Sequence, residues 1–199
     1  MAANRTTETV ASDEVLMARL QEGDDAALGE LMARWELPVK AFLLRVGVAN
    51  ADVEDVAQET FVRLYQKRAA YQTGAAVKPW LLTLAANLGR SRMRWRWRRR
   101  EDELSEEATG ALASAEPNGA QSTVRNEVAA EVRRAVVSLP RRLREVVVAV
   151  EYEYLSHAEA SQVLRCSPKA VETRLYRARS VLKKTLLGVV GDGSPPHQA

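Results

Sequence analysis

The sequence predicts an all-α protein made of two small helical domains joined by a flexible acidic linker, the C-terminal domain being a helix-turn-helix. Three observations support this fold class. Apolar residues recur at helical spacing on both sides of the middle of the chain, and residues 13–100 show no strand-like alternation. Residues 101–123 combine acidic side chains with Ala, Ser, Gly and Pro, a composition typical of a linker. Near the C-terminus, two N-capping signals start two helices that are separated by a tight turn.

The charge of the chain is unevenly distributed. The 199 residues carry a formal net charge of +3, yet residues 1–100 hold 16 basic and 12 acidic side chains, residues 101–123 hold 6 acidic and no basic ones, and residues 124–199 hold 13 basic and 8 acidic ones. Two basic parts on either side of an acidic connector indicate a protein that meets polyanions at two places.

The composition also excludes several classes of protein. Cys166 is the only cysteine, which rules out an intramolecular disulfide and a cysteine-rich zinc site. The sequence has no N-terminal apolar segment and no apolar run of about eighteen residues. We therefore expect a cytoplasmic protein that does not enter a membrane and that needs no metal or cofactor.

The first part of the chain is predicted to be a helical scaffold. Residues 1–12 are polar and are expected to be disordered. Ser12 or Asp13 is expected to cap a helix that ends at Gly23, and a second helix is expected from Asp24. Pro38 is expected to interrupt or restart that second helix.

Residues 52–65, DVEDVAQETFVRLY, predict a helix with one apolar face, formed by Val53, Val56, Thr60, Phe61 and Leu64. The other side chains make a mainly acidic surface on a chain that is basic elsewhere. This surface is either an ordinary solvated helix face or a docking site for a basic protein partner.

Residues 78–100, KPWLLTLAANLGRSRMRWRWRRR, begin as an apolar helix and end in an arginine-rich run. Seven arginines lie within residues 90–100, interleaved with Met93, Trp95 and Trp97. Guanidinium groups bind phosphates, and an indole face can stack on an unpaired base for about 1–3 kcal/mol. The pattern indicates binding of single-stranded or distorted nucleic acid; the alternative is a solvated basic helix end favoured by the helix dipole.

Residues 124–187 predict a second helical unit. A helix from Val124 to Val137 is followed by a second core-facing stretch, and Ser156 with Glu159 forms a capping box for a short helix. Ser167-Pro168 then starts a longer, basic helix. This arrangement is typical of a helix-turn-helix. Residues 188–199 are expected to form a disordered tail.

The segment DVEDVAQETFVRLY, followed after a loop by PWLLTLAANLGRSRMR, resembles region 2 of bacterial sigma factors, the promoter-recognition subunits of RNA polymerase. The resemblance implies that the first motif docks on the β′ clamp of core polymerase. It also implies that the second motif, with the loop before it, melts the −10 element and captures flipped-out bases. The expected core-binding residues, with Asp52 and Arg63 added from the same surface, are Asp52, Asp55, Gln58, Glu59 and Arg63. The expected −10 residues, with members of the arginine-rich run added, are Tyr71, Trp80, Asn87, Arg90, Arg94, Trp95 and Trp97.

Two departures from the family pattern are informative. Leu81 follows Trp80, whereas housekeeping sigma factors carry two adjacent Trp residues, and a single Trp is typical of the extracytoplasmic-function (ECF) type. Ser91 stands where the family often has Asp, so a local pairing with a neighbouring Arg is expected to be missing.

Residues 138–184 resemble sigma region 4, which reads the −35 element. The resemblance implies that the basic helix enters the major groove, with these contact residues: Ser167, Lys169, Glu172, Thr173, Tyr176 and Arg177. Glu172 stands where related factors frequently carry Lys or Arg. Either it accepts a hydrogen bond from a cytosine amino group, or it pairs within its helix with Tyr176 or Arg179 and does not touch DNA. Tyr154 and Arg165 occupy positions where glycine is common, which predicts a left-handed backbone at a cost of about 1 kcal/mol each.

Together the two resemblances identify the chain as similar to an ECF-type alternative sigma factor. The function implied is promoter recognition as a subunit of RNA polymerase, with no catalysis of its own. The expected partners are core polymerase, through its β′ clamp and β subunit, promoter DNA as duplex and as melted single strand, and an anti-sigma protein. Two alternatives remain at this stage. One is a helix-turn-helix regulator that acts without polymerase binding, and the other is a serine recombinase, which would need an α/β catalytic domain.

Overall fold

The computed structural model describes residues 11–104 and 124–190, and this part of the chain contains eight α-helices and no β-strand. The all-α prediction is therefore confirmed. The helices are α1 (Asp13–Gln21), α2 (Ala26–Val46), α3 (Asn50–Gln66), α4 (Val77–Leu104), α5 (Val124–Ser138), α6 (Arg141–Val147), α7 (His157–Leu164) and α8 (Pro168–Val190). A 3₁₀ turn (Arg68–Ala70) precedes α4, and a π-helical turn (Val148–Tyr152) follows α6.

Two of the predicted helix starts are confirmed by their caps. The Ser12 hydroxyl accepts a hydrogen bond from the Val15 amide (3.3 Å). At α7 the Ser156 hydroxyl accepts from the Glu159 amide (3.2 Å), while the Ser156 amide donates to the Glu159 carboxylate (2.8 Å). These two bonds complete the predicted capping box. The Ser156 hydroxyl also donates to the Glu159 carboxylate (2.6 Å), and this bond, followed by the one from the Ser156 amide, lowers the pKa of Glu159.

The prediction that Pro38 interrupts the second helix is wrong. Helix α2 runs through Pro38 without a break. Pro38 is exposed, so water can satisfy the backbone carbonyl that its missing N–H would have bonded. Buried side chains on both sides of it, Leu31 and Val39, fix the helix against the core.

The apolar face predicted for α3 is buried in the core between α2 and α4, as all five of its predicted residues lie below the surface. Gly89 lets α4 approach closely. A Cβ at this position would lie 3.0 Å from Cγ2 of Val48 and 3.3 Å from Cδ2 of Leu43.

In the C-terminal half, α6, α7 and α8 pack together around Val146, Val163 and Val171. The two predicted left-handed residues are confirmed, since Tyr154 has a φ of 54° and Arg165 a φ of 51°. Arg165 is the C-cap of α7 and turns the chain towards α8.

The two halves of the chain are in contact. Helix α4 packs on α7, and α2 packs on α6. The Lys78 ammonium donates to the backbone carbonyl of Glu153 (2.7 Å) and lies 3.2 Å from its carboxylate, which Arg45 also approaches to 3.5 Å. The guanidinium of Arg144 covers Gly47, the C-cap of α2, where φ is 102°.

Two helices extend beyond the ranges expected from the sequence. Helix α4 continues to Leu104, the fourth residue of the expected linker, and α8 continues to Val190, past the expected start of the tail. The rest of the predicted linker, residues 105–123, lies outside the described residues, as do residues 1–10 and 191–199.

Candidate nucleic-acid and polymerase interfaces

Helix α3 presents its expected core-binding residues along one side. Asp55, Glu59 and Arg63 follow one another at intervals of four residues, and Gln58 lies three residues after Asp55. The Asp55 side chain is 68% exposed. Asp52 differs, because its side chain is only 14% exposed. The structure therefore brings four of the five predicted residues to the surface and covers most of the fifth.

The acidic side chains of α3 are paired with basic ones. Asp52 lies 2.7 Å from Arg96, and Asp55 lies 3.2 Å from Arg92, both on α4. The other two pairs are Glu59 with Arg63 (2.8 Å) and Glu54 with Lys40 (2.6 Å). The hydrogen bond from Lys40 lowers the pKa of Glu54. The surface is thus a mosaic of both charges rather than the mainly acidic face expected from the sequence.

An apolar groove of about 430 Å³ lies beside this surface, between α2 and α3. Its lining includes Gln58, which also belongs to the α3 surface, and several apolar side chains, namely Leu28, Met32, Phe61, Val62 and Tyr65. Leu28 and Met32 pack against the core but are only partly buried.

The arginine-rich run of α4 is divided between different faces of the helix. Arg92 and Arg96 face α3, and Arg90 faces α7. The remaining described members are exposed to solvent: Arg94, Trp95, Trp97, Arg98 and Arg99. The guanidinium of Arg99 lies 4.6 Å from the centre of the Trp95 ring, and that of Arg92 lies 5.9 Å away. This cation–π packing keeps the indole at the surface.

Tyr71 and Trp80 are neighbours, but Tyr71 is buried. Its ring lies 5.2 Å from that of Trp80 at an interplanar angle of 58°. Its hydroxyl donates to the backbone carbonyl of Ala75, and burial raises the pKa of the phenol. Trp80 is half-buried against the core. Tyr71 therefore packs against the Trp80 ring from the core side, and only 4% of its own surface is exposed.

Asn87 and Arg90 form a second pair on α4. The Asn87 carbonyl oxygen accepts a hydrogen bond from Arg90 (2.8 Å), and the same Arg90 nitrogen donates to the backbone carbonyl of Val163 in α7 (3.0 Å). Burial of the guanidinium lowers the pKa of Arg90. Two expected −10 residues are thus engaged with each other and with the helix-turn-helix.

The turn before α4 is held by a residue that sequence analysis missed. The Gln21 side-chain amide, at the end of α1, donates to the carbonyls of Arg68 (2.8 Å) and Tyr71 (2.9 Å). Its oxygen accepts from the Thr73 hydroxyl (3.0 Å). Nothing in the local pattern around Gln21 marks it, since its partners lie about fifty residues further along the chain.

The predicted −35 residues lie together at the start of α8. Ser167 caps the helix by accepting from the Ala170 amide (3.2 Å). Lys169 pairs with Glu172 (2.8 Å) and thereby lowers the pKa of that carboxyl group. Tyr176 and Arg177 are exposed one turn later.

The expected alternative partners of Glu172 are not the ones observed. Arg179 instead pairs with Glu151 (2.6 Å), outside α8. Glu172 also lines a polar concavity of about 590 Å³, together with His157, Lys169, Thr173, Leu175, Tyr176 and Arg179. His157, at the start of α7, is a member of this surface that the sequence analysis did not select.

Within residues 11–104 and 124–190 there is no group of three or more His, Cys, Asp or Glu side chains arranged to hold a metal ion. In the same part of the chain, no helix has both the length and the apolar character needed to cross a bilayer.

Known proteins resemble this chain over both halves. A family model described as Sigma-70 region 2 matches residues 31–99, and one described as Sigma-70, region 4 matches residues 129–182. The RNA polymerase sigma-H factor of Pseudomonas aeruginosa is 28% identical over 185 residues, which cover 89% of this chain and 95% of that protein. The ECF RNA polymerase sigma-E factor of Escherichia coli K12 is 29% identical over 179 residues, or 86% of this chain and 92% of that protein.

Solved structures agree with these matches. The structure of CnrH in complex with the cytosolic domain of CnrY matches with a TM-score of 0.63 at 26% identity, covering 92% of this chain and 99% of that chain. The sigma factor RpoE in complex with the anti-sigma factor NepR, from Bartonella quintana, shares the fold with a TM-score of 0.64 at 21% identity, covering 79% and 95%. Because the two family models follow each other in order and together span more than half of the sequence, the chain belongs to the sigma-70 family and is an alternative sigma factor of the ECF type.

Proposed function

We propose that this sigma factor binds core RNA polymerase through α3, opens and holds the −10 element with α4 and the turn before it, and reads the −35 element with the start of α8. The observation that carries the proposal is the position of the exposed α3 side chains directly beside the exposed Arg–Trp end of α4. A protein surface and a nucleic-acid surface that adjoin in this way suit a subunit that brings polymerase to DNA.

The polymerase contact would centre on Asp55, Gln58 and Glu59. These side chains are exposed and can exchange their present partners at little cost, because surface ion pairs are worth only about 0–1 kcal/mol. The apolar groove between α2 and α3 adds a surface that a partner can desolvate.

The −10 contact would use two kinds of groups. Exposed Arg94, Arg98 and Arg99 can bind the phosphates of a separated strand, while Trp95 and Trp97 offer faces for its bases. Asn87 and Trp80 would receive a flipped base. Tyr71 contributes by fixing the Trp80 ring, because its own ring is covered.

The −35 contact would place the start of α8 in the major groove, with Lys169, Glu172 and Thr173 towards the bases. His157 shares the concavity with these residues and would lie near the same stretch of DNA. We propose no catalytic role for any of these groups. A helix-turn-helix regulator would need no α3 surface, and a serine recombinase would need strands that the described ranges lack.

The proposal is tested with purified core polymerase. Run-off transcription on a genomic promoter library should yield specific transcripts, and Asp55→Ala with Glu59→Ala should abolish co-purification with core while leaving the helical content unchanged. Truncation of an interface anchor commonly costs about 2 kcal/mol or more. The matched control is Glu22→Ala with Asp25→Ala, which removes the same charge from exposed positions away from α3. Full core affinity in the α3 variant would refute this interface.

We also propose that an anti-sigma protein binds and restrains the factor, since RpoE of Bartonella quintana, which shares its fold, forms a complex with the anti-sigma factor NepR. Tandem-affinity purification of the factor from its own cells, followed by reconstitution with the captured protein, should give a complex that no longer binds core polymerase. A captured protein that leaves core binding intact would contradict this role.

A further inference from the structure

The contact between α3 and α4 contains a group of ion pairs that the function described so far does not use. We call it the α3–α4 seam and define it as Asp52, Asp55, Arg92 and Arg96. Arg96 lies 2.7 Å from Asp52, and Arg92 lies 3.2 Å from Asp55 and 3.9 Å from Asp52. These are tertiary pairs, because the hydrogen-bonded partners are 44 and 37 residues apart in the chain.

The seam joins the two candidate surfaces. Its carboxylates belong to the proposed polymerase contact, and its arginines belong to the arginine-rich run proposed to bind DNA. The arginines are one turn apart on α4, as are the carboxylates on α3, so the two rows face each other. Arg98 and Arg99 lie on the same helix end and are not part of the seam.

In the folded free chain, the carboxylates and the guanidinium groups of the seam are paired with each other. A cationic group of a protein partner that approached Asp52 or Asp55 would meet the positive charge of Arg96 or Arg92 first. A phosphate that approached either arginine would meet a carboxylate. Both surfaces are therefore reduced in strength by a contact made within the chain itself.

We propose that the seam is an exchange surface: basic groups of the polymerase docking surface replace Arg92 and Arg96 at Asp52 and Asp55, and the released guanidinium groups bind phosphates of the promoter strand. The inference rests on the proposed polymerase contact of α3. The partner it specifies at the carboxylates is a cationic protein surface, and the partner it specifies at the arginines is a phosphate backbone. Arg92 and Arg96 thus become DNA contacts that are available only after polymerase docking.

The physical chemistry of the pairs suits such an exchange. Arg92 is 31% and Asp55 68% exposed, so water screens this pair and opening it costs little. Asp52 is only 14% exposed, so Arg96 can leave it only when another cation takes its place, which is what an exchange provides. Arginine binds phosphate oxygens in the same bidentate manner as carboxylate oxygens, so the released groups keep equivalent partners. If polymerase binding releases the arginines, it increases the affinity of the factor for DNA. By thermodynamic linkage, DNA binding must then increase the affinity of the factor for polymerase by the same ratio.

The first test removes the internal competitor. Arg92→Gln with Arg96→Gln should bind core polymerase, in the absence of DNA, about 3- to 10-fold more tightly than wild type, because two exposed ion pairs no longer need to be broken. The matched control is Arg98→Gln with Arg99→Gln, which removes the same charge from the same helix end and should leave core affinity within about 2-fold of wild type. Core affinity that falls, or that changes equally in both variants, would overturn the exchange.

The second test removes the carboxylates and reads DNA binding by the free factor. Asp52→Asn with Asp55→Asn should bind a short single-stranded −10 oligonucleotide about 5- to 10-fold more tightly, with a steeper salt dependence, because two further arginines reach phosphates. The matched control, Glu54→Gln with Glu59→Gln, removes the same charge from α3. It releases Arg63, which lies outside the arginine-rich run, while Lys40 keeps its pair with Glu36, and it should change the affinity by no more than about 2-fold. Equal gains in both variants would overturn the proposal.

These outcomes separate the inference from the proposed function. If the wild-type factor fails to bind core polymerase at all, both the proposed function and the proposed exchange are wrong. If the wild-type factor binds core but the seam variants match their controls, the proposed function stands and the exchange alone is wrong. Thermal unfolding of each variant shows whether α4 remains packed, and the oligonucleotide measurement does not depend on the arginine variants.

Discussion

The proposed role of Asn87 in promoter melting competes with a hydrogen bond that its side chain already makes in the folded chain. Its carbonyl oxygen accepts a hydrogen bond from Arg90, which donates in turn to Val163. To receive a flipped base, the amide must exchange this partner for the base edge. Asn87→Ala should therefore impair transcription from duplex promoters much more than from templates already mismatched at −10.

Transcription on the two templates with the same preparation of enzyme provides the measurement. A polymerase-binding assay serves as the control, because Asn87 lies on α4 outside the proposed polymerase contact. If the defects on duplex and mismatched templates are equal, Asn87 takes no part in opening the promoter.

Glu172 is the second residue whose role the structure sharpens. It pairs with Lys169 within α8, and both side chains are more than half exposed, so the pair can open at little cost. A carboxylate in the major groove can accept a hydrogen bond from the amino group of cytosine. Glu172→Ala should then relax the preference at one cytosine of the −35 element by about 1–3 kcal/mol.

Binding-site selection followed by sequencing measures this preference. Arg177→Ala is the comparison variant, and it should weaken all sequences alike and flatten the salt dependence. An unchanged −35 sequence preference in Glu172→Ala would show that Glu172 does not read a base.

At the scale of the helices, two glycines of the N-terminal half provide a matched pair. A Cβ at Gly89 would press on the buried side chains of Val48 and Leu43, whereas a Cβ at Gly29 would meet no atom within 4 Å. Gly29→Ala should stabilise the protein by about 1 kcal/mol through helix propensity. Gly89→Ala gains the same propensity but suffers overpacking of about 1–3 kcal/mol, so it should be neutral or destabilising by up to about 2 kcal/mol.

Chemical denaturation of both variants under the same conditions tests the pair. The difference between them isolates the close approach of α4 to α2, because the change in residue type is identical. Equal stabilisation by the two substitutions would mean that α4 is packed less closely than the structure shows.

The helices were predictable where their sequence signals are local. The caps at Ser12 and Ser156 and the left-handed Arg165 depend on residues within one turn of each other. The seam between α3 and α4 was not predictable, because its pairs depend on how two helices about forty residues apart cross. The predicted interruption of α2 at Pro38 was wrong for a related reason. The cost of the missing N–H depends on solvent exposure, which the sequence does not give.

For the molecule as a whole, the contact between its two halves was the feature that the sequence indicated least. The composition of residues 101–123 predicted two domains joined by a linker, and nothing in it indicated that α4 would pack on α7. The contact includes Glu153, whose side chain is 9% exposed and pairs with Lys78 and Arg45 from the other half. Arg90 adds a hydrogen bond to Val163.

This closed arrangement does not fit simultaneous contact with both promoter elements. Elements centred about 25 base pairs apart are separated by about 85 Å of duplex, at about 3.4 Å per base pair. Helices α4 and α7, which belong to the two halves proposed to read DNA, are in direct contact. Under the proposed function the halves must therefore move apart when the factor engages a promoter, and the polar contacts at Glu153 must break.

Removing those contacts should favour the open arrangement in the free factor. Lys78→Met with Glu153→Gln neutralises both partners, so no buried charge is left without a partner. The matched control is Lys40→Met with Glu54→Gln, which neutralises an ion pair (2.6 Å) that lies wholly within the N-terminal half. We expect the first variant to show a longer and broader distance between the two halves, and the control to match wild type.

Spin labels report this distance directly. Labels at exposed Glu22, the C-cap of α1, and at exposed Ser180 on α8, in a protein whose Cys166 is replaced by Ser, place one probe on each half. Pulsed electron–electron double resonance on the free wild-type factor should give a short distance between the two labels. This distance should lengthen in the complex with core polymerase and promoter DNA, because the two promoter elements lie far apart on the duplex. The Lys78–Glu153 variant should show part of that longer distance before polymerase is added. A distribution identical to that of the Lys40–Glu54 control would show that the contacts at Glu153 do not hold the halves together.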